Sequence, residues 1–94
     1  MRWYISAASV RQYQTILGLA PVDDGPQFDR AAVTLERLCE QAKLARDEGH
    51  RAIYRVMTRI NGRKTRLELT VSLSERDEGD LPQLVRVRDK GQTR

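Results

Sequence analysis

Ninety-four residues with 17 basic and 13 acidic side chains, a net charge of +4 and 39% hydrophobic content describe one globular domain, residues 1–94, with a heavily charged surface. A chain of this size buries one core and leaves no room for a second domain or an ordinary internal cofactor cavity, so no cofactor is expected. A single cysteine, Cys39, excludes an intrachain disulfide and a cysteine-rich zinc site, and no segment approaches the about eighteen apolar residues of a membrane span, so a cytoplasmic protein without a membrane partner is expected.

Arg2 to Ile5 alternate polar and apolar residues, with two aromatics, and read as a short opening strand. Ser6 suits an N-cap, because its hydroxyl can accept from the free N–H groups of a first helical turn. Val10, Tyr13 and Leu17 follow at helical spacing, and Gly18 stands where a left-handed residue ends a helix. The first helix is therefore expected from Ala7 to Leu17. Ala20 to Pro26 is turn chemistry, with Asp24 three residues before Gln27 at capping-box spacing. Phe28, Ala31, Ala32, Leu35, Leu38, Cys39, Ala42 and Ala45 form one apolar stripe. The second helix is expected to carry that stripe until Gly49.

Two β-rich runs, Ile53 to Ile60 and Arg63 to Leu73, are separated by Asn61 and Gly62. A two-residue loop of this kind needs positive φ at both positions, which Asn and Gly tolerate, and it fixes the register. One face then pairs Ala52 with Val71, Tyr54 with Leu69, Val56 with Leu67 and Thr58 with Thr65. The other pairs Arg51 with Ser72, Ile53 with Thr70, Arg55 with Glu68, Met57 with Arg66 and Arg59 with Lys64. Turn chemistry and hydrophobic alternation agree, and a slip of one residue would destroy both. Ser74 to Pro82 reads as an acidic loop, and Leu84 to Asp89 as a last strand with Val85 and Val87 inward. Residues 90–94 read as a frayed tail. The expected class is α+β, two layers in the order β-α-α-β-β-β, with both helices on one face of a small, mainly antiparallel sheet.

From Arg51 to Arg66 there are six basic residues and no acid. The sheet face that the helices do not need would carry Arg51, Arg55, Arg59, Lys64 and Arg66, joined by Arg86 and Arg88 if the last strand lies beside the third. Solvated cations on exposed strands also serve to prevent edge-to-edge aggregation, and that plainer reading weighs about equally. Ile53 and Met57, apolar residues among arginines on the same face, favour a binding surface. Its partner would be anionic, an acidic protein surface or a nucleic-acid backbone. The aromatics point elsewhere, so a nucleic acid would be held by phosphate contacts instead of base stacking. A homo-oligomer built on the same hairpin is a third reading.

The remaining reactive residues have plainer explanations. His50 has no evident nucleophile beside it, Cys39 lies on the helical stripe, and Asp77, Glu78 and Asp80 lack the spacing of a calcium loop. No catalytic residue and no metal ligand is assigned. The element order, the length and the run Ile53-Tyr54-Arg55-Val56 on a basic hairpin resemble the RelE/ParE superfamily of small bacterial toxins and its BrnT-like relatives. That resemblance implies messenger-RNA cleavage or gyrase inhibition, with Arg55, Arg59, Arg66 and Arg86 as phosphate-binding and charge-stabilising groups. The acidic run from Glu75 to Asp80 and a C-terminus without Tyr or His depart from the family's pattern. The chain also resembles the short orphan proteins of phages, plasmids and integron cassettes, which work by binding a host protein. The leading expectation is a non-enzymatic binding module.

Overall fold

The computed structural model describes residues 2–76 and 81–92. Seven elements follow one another: β1 (Tyr4–Ile5), α1 (Ala7–Ile16), α2 (Gly25–Gln41), β2 (Lys43–Asp47), β3 (Arg51–Ile60), β4 (Arg63–Arg76) and β5 (Pro82–Gln92). The strands form one sheet in the order β1-β5-β4-β3-β2. The β1–β5 pair is parallel and the other three pairs are antiparallel.

The β3–β4 hairpin has the expected register, from Arg51 opposite Ser72 to Ile60 opposite Arg63. Asn61 and Gly62 take φ of 53° and 79°, the positive values that the two-residue turn demands. Ser6 caps α1, its Oγ accepting from Ser9 N at 3.1 Å. Val56, Leu67, Leu69 and Val71 on one side of the ribbon meet Leu35, Leu38 and Cys39 of α2 and Val10 and Tyr13 of α1 in a single buried cluster. Leu84 and Val87 of β5 complete it.

Five expectations need correction. The second helix stops at Gln41, and the residues after it form β2, a fifth strand along the edge of β3. The cause lies far away in sequence. Arg2 Nη1 donates to Cys39 O at 3.0 Å and to Ala42 O at 2.7 Å, capturing the carbonyls at the C-terminus of α2. Its guanidinium carbon also sits 4.8 Å from the ring centroids of both Trp3 and Tyr54. Ala42 is already extended, with φ −69° and ψ 146°. Ala45 consequently lies exposed on β2.

Asp24 precedes α2 but makes no side-chain capping bond. In β5 the inward residues are Leu84 and Val87, not Val85, because the register with β4 shifts between Thr70 and Val71. The last strand also begins at Pro82 and continues to Gln92, so residues 90–92 are strand, while 93–94 lie outside the described residues. Part of the expected acidic loop belongs to β4, which extends to Arg76; Asp77, Glu78 and Asp80 lie outside the described residues.

Two buried polar side chains of α1 stitch the layers. Ser9 Oγ donates to Leu84 O at 3.0 Å, and Gln14 Oε1 accepts from Val22 N at 3.0 Å, which anchors the link between the helices. Buried polar groups of this kind are tolerated because each has its partner.

Candidate functional site: the cationic outer face of the sheet

The Cα envelope measures 34 × 34 × 16 Å, thin enough for one helical layer on one sheet. Both helices pack on the side of the ribbon that carries the core cluster. The opposite face has no helix on it among the described residues, and the alternation of strand side chains decides what it displays.

The cross-strand register builds that face as rows. One runs Lys43, Arg55, Glu68, Arg88 across β2, β3, β4 and β5. The next runs Arg46, Ile53, Thr70, Arg86. Toward the turn stand Met57 opposite Arg66 and Arg59 opposite Lys64. Arg55, Arg59, Lys64, Arg66, Arg86 and Arg88 are all exposed, as expected from the sequence. Lys43 and Arg46 were not expected. They reach this face only because residues 43–47 form a strand, and all five positions of that strand are exposed, so it carries no alternation to read.

Glu68 is the acid of this face among the described residues. It is 9% exposed and lies between Arg55 and Arg88, with Arg55 Nε 3.8 Å from its Oε2. A carboxylate so surrounded neutralises part of the repulsion between the arginines on either side without presenting itself to a ligand. The like-charged pair near the turn is relieved differently: Arg59 Nη1 donates to Gly62 O at 3.2 Å and folds back over the loop.

Ile53 departs from expectation. It faces outward but is only 6% exposed, flanked by Arg46 and Thr70 in its row, and it is not part of the core cluster. The aliphatic stems of arginines cover apolar surface while their heads stay in water. Met57, 45% exposed, is therefore the accessible apolar residue of the patch. Arg51 belongs to a separate cluster at the rim. Glu48 accepts from Arg51 Nε at 2.6 Å and lies 2.6 Å from Arg46 Nε, and the Arg51 hydrogen bond, against slight desolvation and helped by Arg46, holds its carboxyl below the usual range. Arg51 thus braces the β2–β3 connection while staying exposed on the outer face, opposite Ser72 as expected.

The other reactive groups lie elsewhere. His50 does not follow a helix as expected; it sits in the bend between β2 and β3, its carbonyl accepting from Leu73 N at 2.9 Å. Cys39 is 2% exposed, and burial, reinforced by Glu40, pushes its thiol up to about 12 against the opposing pull of Arg2. No group of three or more His, Cys, Asp or Glu among the described residues could hold a metal ion, and no helix is long and apolar enough to cross a membrane. Comparison of the chain with protein families, with curated proteins and with solved structures finds no match.

Proposed function

We propose that this protein is a non-enzymatic binding module that docks an anionic partner on the outer face of its sheet. The observation that carries this reading is the exposure of Arg55, Arg59, Lys64, Arg66, Arg86 and Arg88 together on one face, with the neighbouring carboxylate, Glu68, held down between two of them. Cations concentrated on a surface free of neighbouring helices draw polyanions and set the orientation in which they arrive. The aromatic of this face among the described residues is Tyr4, 42% exposed at the β1 edge in the row Arg51, Ser72, Gln83. It stands away from Arg55, Arg59 and Arg66, so a nucleic acid would be gripped mainly by its phosphates and not by a stacking platform. Arginine with an accessible methionine suits a protein surface better.

The test is capture of partners from cell lysate, with and without nuclease, by the natural chain and by a variant carrying Arg55→Glu, Arg59→Glu and Arg66→Glu. Loss of capture in a variant that keeps its fold is the expected result; undiminished capture discards the reading. A second reading, transcript cleavage of the kind that the RelE/ParE resemblance implies, draws on the placement of Arg55, Arg59, Arg66 and Arg86 on that same face. Growth arrest on expression, with cleaved transcripts, would support it, and unimpaired growth would remove it.

A further inference from the structure

Strand β3 is only half covered at its outer edge. β2 pairs with Ala52 to Arg55, and no described residue pairs with Val56 to Ile60 on that side. The two-residue loop makes Ile60 and Arg63 exchange both backbone hydrogen bonds. The alternation of antiparallel pairs then turns the N–H and C=O groups of Met57 and Arg59 away from β4, toward the open edge. The same alternation directs the backbone of Arg55 toward Lys43. A ladder therefore begins between β2 and β3 and stops after Arg55, because the chain before Lys43 turns away into α2, while β3 still offers its next donors and acceptors.

Two shallow grooves flank this open stretch, one of about 290 Å³ and one of about 220 Å³. Met57 lines both. Every charged residue lining them is a cation: Lys43, Arg55 and Arg66 in the first, Arg59 and Lys64 in the second. Cations on an edge keep like copies apart. They attract a strand of the opposite charge.

We propose that the stretch from Val56 to Ile60 receives an extended acidic segment of a partner protein, which continues the line of β2 by strand addition. Its backbone bonds to Met57 and Arg59, its carboxylates occupy alternate positions facing Lys43, Arg55, Arg59 and Arg66, and its intervening residues are apolar or small. This rests on the anionic-partner reading above and gives that partner a chemistry and a conformation.

The probe is a fluorescein-labelled peptide that alternates glutamate with valine, in three forms: unmodified, methylated on the glutamate amide nitrogens, and methylated on the valine amide nitrogens. The residues opposite Met57 and Arg59 face outward, so they are the glutamates, and their N–H groups make the new bonds. Anisotropy titration should show binding of the unmodified peptide and about tenfold weaker binding when the glutamate amides are blocked, with little change when the valine amides are. Amide hydrogen exchange at Met57 and Arg59 should slow in the complex. Equal affinity of all three peptides, with no slowing at Met57 and Arg59, overturns strand addition while leaving the cationic face as an attractor of polyanions. Absence of peptide binding overturns it too, and the lysate capture then decides separately whether the face binds anything. Should the free protein sediment as a dimer that Met57→Pro dissociates, the edge belongs to a second copy and the inference falls.

Discussion

The two faces of the β3–β4 ribbon share one backbone and one register, yet obey different rules. On the inner face Leu67, Leu69 and Val71 are fully buried beneath the helices. On the outer face Arg55, Met57, Arg59, Lys64 and Arg66 stand in solvent one residue away along each strand. The inner set holds the fold together through shape and apolar area. The outer set contributes little cohesion, which leaves its charge free to serve recognition. The difference teaches where to look for function in a small sheet protein: on the face whose residues the core would not miss.

The sharpest way to break that contrast is to exchange the expected costs. Leu67→Ala should lower the unfolding free energy by about 2–5 kcal/mol, as large-to-small changes in a packed interior do, whereas the triple Arg-to-Glu variant should shift it by no more than about 1 kcal/mol. Denaturant unfolding followed by circular dichroism reads both, and a reversed order would erase the distinction between the faces. Next in size is Arg2→Met, which removes charged donors from Cys39 O and Ala42 O together with the stacking on Trp3 and Tyr54. A loss of about 2 kcal/mol is expected, with faster amide exchange at the end of α2 and along β2.

Glu68→Gln sharpens the comparison from the outer side. It takes away the carboxylate between Arg55 and Arg88 and should cost about 1 kcal/mol or less, while retention on a heparin column moves to higher salt. The smallest effect belongs to Cys39. Its folded value lies above the free thiol's 9.0, so the neutral form is favoured in the native state. Its contribution is complete below that value and declines as the pH rises from there toward 12. Between these limits the natural chain should lose stability slightly more steeply than a Cys39→Ala variant, in paired denaturant titrations.

The hairpin was legible because two independent signals converged on it: the left-handed demand of Asn61–Gly62 and the alternation of Tyr54, Val56, Leu67 and Leu69 with arginines. The end of α2 was not legible. Ala42 and Ala45 continue the helical stripe on paper, and what stops the helix is a guanidinium from residue 2, a contact between distant parts of the chain. Lys43 and Arg46 were lost from the site for the same reason, since their place on the face depends on β2 existing. Val85 was misassigned because a register shift in β5 has no composition of its own. Ile53 was placed on the correct face, but its burial comes from neighbouring side chains, which periodicity does not report.

One arrangement has a consequence for how the molecule is made. Tyr4 and Ile5 pair with Gln83 and Leu84, Ser9 donates to Leu84 O, and Gln12 accepts from Val87 N. The first helix of the domain therefore has its resting place on the domain's last strand. Until that strand emerges, Val10 and Tyr13 face a half-built interior, so the domain closes in one step that waits for β5. Nascent chains arrested before Pro82 should stay open to protease along α1, and emergence of β5 should protect α1 and β5 together.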